Sequence, residues 1–435
     1  MIDLFAGVPL GWQILFGAAL TVVLVNLAWT LSLLVRSSRW IASGAPHAVG
    51  SQPARDDFVW VFLVPALNEA VTIADSVARL VRVDVARRRI VVIDDGSDDA
   101  TSAVLAEITH PDLVVLRREP PDARRGKAAA LNDAYRRLGS YVAPGTPRGQ
   151  VVVAVVDADG RLAPDAPTYV ARHFADPAVG GVQSLVRIYN RRRVLAWFQH
   201  VEFSIYGHLF QAGRNRAGTA GMGGNGQFNR LSALDDVADE VGPWRDRLTE
   251  DQDLGLRLIA RGWRGRQELH ATVDQQGLSK LRPLLRQRTR WAQGNLQAID
   301  RTGDVLHAPV GRLARVELLI HLWTPLLQGI VGVSLIAALG LAATGTVPFW
   351  AGGPMWQLLI VYVLAFGGTV LGCLAARPGG FRERVVAIAL GHVYTLYTWL
   401  IWPVLLRATV RQLAGRQGWA KTRREPLPAV PGRHS

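Results

Sequence analysis

Cysteine is almost absent from this chain: Cys373 is the single one, and it lies inside an apolar run. One thiol cannot form an internal disulfide, and no Cys/His cluster has the spacing of a zinc site. Nothing therefore calls for an oxidising compartment. Charge is also sparse, at 19% of residues against 49% hydrophobic, which excludes a disordered chain. Acidic residues number 35 against 49 basic ones, for a formal net charge of +14. No nucleic-acid-binding signature accompanies that excess. The arginines gather instead at the flanks of apolar runs and in one motif near residue 290, which suits anionic lipid or phosphate. Internal repeats and low-complexity stretches are lacking. No Lys or Arg precedes the first apolar run, whereas Asp3 does. A cleaved signal peptide has a basic start and a shorter apolar core.

Long apolar runs are present at both ends. Leu10 to Val35 is apolar apart from Gln13, Asn26 and a few hydroxyls, and ~20 such residues cross a bilayer as a helix. Arg36 and Arg39 follow it, so we expect a retained anchor with its amino terminus outside and the next domain in the cytoplasm. Three further runs, Leu318–Ala343, Trp356–Ala376 and Val385–Leu406, are long enough to span. Charge and count then disagree. Four spans put the tail outside, yet Arg407, Arg411, Arg416, Lys421, Arg423 and Arg424 favour the inside. One re-entrant or interfacial segment would remove the conflict, and the Trp402-Pro403 break makes the last a candidate.

The expected division is an anchor and linker over 1–54, a soluble domain over 55–304, a membrane region over 305–410 and a basic tail over 411–435. Within the middle part, Phe58–Val64, Ile90–Ile93, Leu113–Leu116 and Val151–Val156 are short apolar runs separated by helical stretches. That alternation predicts a parallel α/β sheet with helices on both faces. Ligands of such sheets bind beyond the carboxyl ends of the strands. Two acidic clusters, Asp94-Asp95-Gly96-Ser97 and Asp157-Ala158-Asp159-Gly160, fall at strand ends. In an extended strand end Asp157 and Asp159 point the same way and suit Mg²⁺ or Mn²⁺. A polar turn after a strand is the alternative. Asn68-Glu69 follows the first strand, where a helix start would read the same way.

Lys127 opens an Ala-rich helical stretch, a place for a phosphate or simply for a solvated basic loop. Thr249-Glu250-Asp251-Gln252 opens another. Thr249 and Gln252 have capping-box spacing, which leaves Glu250 and Asp251 unexplained, and a carboxylate at a rigid helix start can act as a general base. Gln287-Arg288-Thr289-Arg290-Trp291 lies on a helix, Leu281–Gln297, with Leu284 and Leu285 on one side and bases on the other. Such a helix can lie on a membrane surface. Its arginines can also grip a diphosphate and its Trp stack on a sugar.

The ordered set of these motifs, with Gly223-Gly224-Asn225-Gly226 between the second acidic cluster and Thr249, resembles the family 2 glycosyltransferases. Within them it is most similar to the membrane-bound polysaccharide synthases for cellulose, chitin, hyaluronan and poly-N-acetylglucosamine. The resemblance implies a GT-A (Rossmann-like) cytoplasmic domain inserted between transmembrane helices, with an amphipathic interface helix. It implies an inverting, metal-dependent transfer from a UDP-sugar to a growing polysaccharide, or a single transfer to a glycolipid. Donor binding then falls to Pro65, Asn68, Glu69, Asp94, Asp95, Lys127, Asp157, Gln287, Arg288 and Arg290. Asp157 and Asp159 would hold Mg²⁺ or Mn²⁺, Asp251 would be the base, and Gly224, Asn225, Glu250 and Trp291 would face the acceptor. The implied partners are the donor, a carbohydrate or lipid acceptor, the bilayer and an accessory membrane or export subunit, with no nucleic acid among them. The segment from Gly223 lacks the cysteine that some of these synthases carry there.

Overall fold

The computed structural model describes residues 8–44, 54–346 and 355–416. Asp3, the uncharged loop over 347–354 and the tail arginines and lysine beyond residue 416 lie outside them.

The middle part of the chain is built on an eight-stranded sheet. Its strands are β1 (Val59–Ala66), β2 (Arg88–Asp94), β3 (Leu113–Arg117), β4 (Val151–Val155), β5 (Arg161–Leu162), β6 (Val179–Ile188), β7 (Gln227–Arg230) and β8 (Arg264–Gln275), in the order β3-β2-β1-β4-β7-β6-β8-β5. The four expected strands form the parallel half. The sheet as a whole is mixed, which corrects the expectation of a parallel one. β7 enters antiparallel between β4 and β6, and β5 lies antiparallel to β8. The added strands escape an apolar-run criterion for a physical reason. Gln227, Asn229 and Arg230 are buried in β7, and β6 and β8 carry Gly180-Gly181 and Arg264-Gly265-Arg266.

Alternation along β1 sends side chains to both faces. Trp60, Phe62 and Val64 join a core with Ile73, Val77 and Leu80 of the helix Ile73–Val81. Val61 and Leu63 join the other core, with Leu131 and Ala134 of the helix Lys127–Arg136 and Leu254 and Leu258 of the helix Glu250–Ala260. The strands are thus covered on both sides, as buried strands require.

In chain order the helices that position the site are α1 (Leu10–Ala42), α2 (Lys127–Arg136), α3 (Val194–Ile205), α4 (Glu250–Ala260), α5 (Leu281–Gln297), α6 (Arg312–Ala343), α7 (Met355–Ala376), α8 (Phe381–Thr398) and α9 (Ile401–Leu413). Four helical segments, Leu10–Ala42, Arg312–Ala343, Leu358–Ala376 and Phe381–Leu413, are long and apolar enough to cross a membrane. The last of them is divided at Trp399–Leu400 into α8 and α9. Pro403 explains the break, because it has no N–H for the Trp399 carbonyl and its ring crowds that carbonyl. α8 has 18 residues, or about 27 Å of helix at ~1.5 Å per residue. α9 turns onto α5. Val404, Leu405 and Ala408 pack with Ala292, while the buried Gln293 amide donates to Gln412 Oε1 (3.2 Å) and the Arg416 carbonyl (2.8 Å). The second half of the final apolar segment is thus packed on α5.

Phe228 joins the two halves of the sheet. It is fully buried and meets Trp60 edge-on with centroids 5.9 Å apart. Phe228→Ala should cost about 3–5 kcal/mol and lower the thermal midpoint of the detergent-purified chain by roughly ten degrees. An unchanged midpoint would remove this contact from the core.

Candidate active site

A cavity of about 530 Å³ opens at the carboxyl ends of β1 and β4. Pro65, Glu69, Asp95, Lys127, Asp157, Asp159, Gly224, Asn225, Glu250, Asp251, Gln287, Arg290 and Trp291 all line it. Asn68, Asp94 and Arg288 do not line it. Thirteen of the sequence-selected positions thus converge, although more than 200 residues separate the first from the last.

β4 ends at Val155, so Asp157 and Asp159 stand in a turn and not on an extended strand. The turn itself brings both to the cavity. The Gly160 amide donates to the Asp157 carbonyl at 2.7 Å. A Cβ at Gly160 would lie 2.8 Å from that carbonyl and 2.9 Å from Asn225 Oδ1, so only glycine fits. Asn225 Oδ1 accepts from the Asp157 amide (3.1 Å), and Asp159 Oδ2 accepts from the Gln276 amide (3.2 Å). The strand-end alternation is therefore corrected, while the shared destination of the two carboxylates stands.

Lys127 begins α2 and crosses the cavity wall. Its Nζ donates to Asp157 Oδ1 (2.7 Å) and to the Gly224 carbonyl (2.6 Å), and stands 3.6 Å from Glu250 Oε1. Burial works against its charge, but Asp157, Glu250 and Asp251 outweigh burial and hold its pKa above the ordinary lysine value. Glu250 and Asp251 open α4. Thr249 makes no side-chain bond to the helix backbone, so the capping box is not formed; its hydroxyl donates to the Gln252 side chain at 3.2 Å. The Gln252 amide donates to Asp251 Oδ1 at 2.9 Å. Burial, with the neighbouring Glu250 charge, pushes Asp251 up to about 7 against the pull of Lys127. A carboxyl tuned near neutrality in a cleft is suited to proton transfer.

The two aspartates after β2 divide their work. Asp95 faces the cavity, accepts from Arg118 and from the Arg124 amide (3.0 Å), and has its pKa raised by burial. Asp94 is fully buried and holds the turn together through the Ser97 amide (2.9 Å), Ser102 (2.5 Å) and Arg117 (2.5 Å). Burial raises its pKa, but these hydrogen bonds outweigh burial and lower it. Asn68, in a left-handed conformation at φ 55, exchanges two hydrogen bonds with Asp98 and so ties its loop to that turn.

On α5, Gln287, Arg290, Trp291 and Asn295 share the cavity face, as i, i+3, i+4 and i+8 positions do. Arg288 is one residue, and about 100°, off that face. It pairs with Glu202 at 2.5 Å, and its guanidinium lies over the Trp291 ring at 4.3 Å. The expectation that Arg288 reaches into the cavity is corrected by this rotation. Tyr397 of α8 also donates to Glu202, at 3.0 Å.

The sequence reading missed the cavity's far end. Glu202, Tyr206, Gln211, Arg214 and His321 line it. They come from α3, the π-helical turn Tyr206–Gln211, the 3-10 turn Ala212–Ala217 and the long apolar α6. No spacing signal marks them, because the π-turn that rotates Tyr206 inward is not written in residue type.

A profile described as "Glycosyltransferase like family 2" matches residues 60–294. The beta-monoglucosyldiacylglycerol synthase of Trichormus variabilis is 35% identical over 243 residues, 54% of this chain and 48% of that protein. The poly-beta-1,6-N-acetyl-D-glucosamine synthase of Staphylococcus aureus (strain COL) is 30% identical over 244 residues, 55% of either chain. The chain thus spans about half the length of the curated relatives it matches. Among solved structures, a mannosyltransferase from Pyrobaculum calidifontis, in complex with GDP-Man and Mn²⁺, shares the fold with a TM-score of 0.59 at 21% identity, over 92% of this chain and 99% of that one.

A reaction that uses Asp251 as its base should gain rate as pH rises through about 7 and level off above it. Glu250→Gln removes a charge that raises Asp251, so the acid limb of the pH profile should move to lower pH. A limb that stays in place would separate the rate from Asp251.

Proposed function

The chain belongs to the glycosyltransferase-like family 2, and on that basis we propose that it transfers a sugar from a UDP-sugar, with inversion, to a growing polysaccharide at the membrane. One observation carries the reading: Asp251, held near neutrality, shares a cavity with Asp157, Asp159, Lys127, Arg290 and Trp291. Asp95 and Glu69 sit at the β1–β2 end and would receive the nucleoside. Lys127, Gln287 and Arg290 would offset charge on the departing diphosphate. Trp291 would stack on the acceptor sugar. Asp251 would take the proton of the acceptor hydroxyl as that oxygen attacks the anomeric carbon and the bond to the diphosphate breaks.

A divalent cation fits the donor set. Asp157 already holds a cation, the Lys127 ammonium, at 2.7 Å. Among the described residues no group of three His, Cys, Asp or Glu side chains is placed to hold a metal alone. Two carboxylates completed by diphosphate oxygens and water match the habit of Mg²⁺, and Mn²⁺ accepts the same ligands. Such an ion supplies a Lewis acid that stabilises the leaving diphosphate.

The catalytic unit would be residues 55–304 on the cytoplasmic side, held at the bilayer by α1 and the carboxyl-terminal helices. A single transfer that makes a glycolipid is favoured by a separate observation: the cavity reaches Leu318 and His321 of α6, where a membrane-borne acceptor would arrive.

The purified chain in detergent, with Mg²⁺ or Mn²⁺, should release UDP from one member of a UDP-sugar panel and build a polymer. A one-sugar lipid product instead would establish the glycolipid reading. Asp251→Asn should lower turnover by about 10²–10⁴ with UDP binding retained; near-normal turnover would sink the base assignment. Trp291→Ala should impair acceptor use more than donor hydrolysis, and equal loss of both would make Trp291 structural.

A further inference from the structure

Arg214, at the far end of the cavity, belongs to a group in which cations outnumber carboxylates. Arg36 of α1 and Arg214 share one carboxylate, Glu317 of α6, at 2.7 and 2.8 Å. The Arg214 and Glu317 side chains are 1% and 2% exposed. Two guanidinium groups on one carboxylate leave a net positive charge around the buried Arg214–Glu317 pair, with the Arg36 side chain 20% exposed. Such a charge is costly unless an anion meets it. The geometry of Arg214 shows where that anion would sit. Its Nε bonds Glu317 and its Nη1 bonds Gln211 at 3.3 Å, while its buried Nη2 has no hydrogen-bond partner among the described residues. Arg214 lines the cavity beside Tyr206, Gln211 and His321. Tyr206 and Asp251 line the same cavity, and Tyr206 lies near enough to Arg214 to feel its charge and side chain. The same end touches α6, a helix long and apolar enough to enter the bilayer.

We propose that Arg214 is the anion subsite for an acceptor lipid whose headgroup carries both a phosphodiester and the hydroxyl that receives the sugar. The phosphodiester would take the unused Nη2 donor, and the headgroup hydroxyl would reach past Tyr206 to Asp251. Guanidinium suits this role because its planar fork matches phosphate oxygens and stays charged when buried. A neutral diacylglycerol gives Nη2 no acceptor, and a polymer end without acidic groups leaves the excess charge unmet. Glycerophospholipids with a free headgroup hydroxyl and phosphodiester-linked lipid saccharides share the required chemistry. The inference rests on the reading that the acceptor is borne by the membrane, and its test measures binding, not turnover, so that it fails independently of the glycosyl transfer.

The experiment is native mass spectrometry of the full chain in a neutral detergent, titrated with short-chain phosphatidylglycerol, with diacylglycerol of the same acyl chains, and with glycerol 3-phosphate. Wild type should bind phosphatidylglycerol roughly tenfold to a hundredfold more tightly than diacylglycerol, the range for a hydrogen bond to a charged group. Arg214→Gln should erase that preference, and Arg214→Lys should keep part of it. Arg214→Gln leaves Arg36 and Glu317 as a neutral pair, so its thermal midpoint should stay near that of wild type. Should that variant fail to fold, Arg214→Lys and the wild-type comparison of the two lipids still decide. Equal affinity for the two lipids, a preference that survives Arg214→Gln, or glycerol 3-phosphate binding as tightly as the lipid would each overturn the proposal. In a second arm, a phosphodiester-linked prenyl saccharide that displaces phosphatidylglycerol from wild type would identify that lipid class as the source; failure to displace it would leave the glycerophospholipid.

Discussion

The Lys127 ammonium is the contact on which the site's shape depends. It joins the turn after β4, through Asp157, to the Gly224 carbonyl and to Glu250 at the start of α4. Three segments far apart in sequence are thereby held around one point. The lysine also sets charge there. It is buried among Asp157, Glu250 and Asp251, so each carboxylate is held near a cation while Asp251 still titrates near neutrality. A Cβ at its neighbour Gly224 would lie 3.1 Å from Lys127 Nζ and 3.3 Å from Asp251 Oδ2 and would press on both.

The interface helix α5 links this centre to the membrane helices. Its cavity face carries Gln287, Arg290 and Trp291, and its opposite side is occupied by α9 through Ala292 and Gln293. Between them, Arg288 lies over Trp291 and is bonded to Glu202, which Tyr397 of α8 also holds. A displacement of the carboxyl-terminal helices therefore bears directly on the orientation of Trp291. The anchor α1 is joined just as directly. Arg36 meets Glu317, Ser37 bonds the His208 carbonyl, and Gly213 abuts the Leu33 backbone at a distance no larger residue allows. The catalytic domain and the apolar helices form one packed unit around a shared cavity.

The motifs were legible because strand ends and helix starts are local events. An apolar run that stops at Asp-Asp or Asp-Ala-Asp marks a strand's carboxyl end whatever surrounds it, and parallel strands bring such ends to one edge. That reasoning placed Asp95, Asp157 and Asp159 at one crevice, while Asp251 joined them only through the family resemblance. The long apolar runs were equally plain, since bilayer thickness sets their length. The whole α5 helix, Leu281–Gln297, was recovered from its own periodicity.

Rotations and pairings were not legible, because they are decided by partners distant in the chain. Neighbouring charges in Asp94-Asp95 look alike in sequence, yet Ser102 and Arg117 bury one and leave the other facing the cavity. Arg288 and Arg290 look alike too, until packing of α5 fixes which side meets Glu202. β6, β7 and β8 pair through backbone bonds and bury glutamine, asparagine and arginine, so no apolar pattern announces them. By itself the sequence determined the chemistry, since residue type and local spacing suffice to put carboxylates at strand ends and a basic helix at the membrane. Only the tertiary structure decided which of those groups share a cavity, and that the cavity runs on to Arg214 and α6, because such convergence depends on long-range packing that no local spacing records.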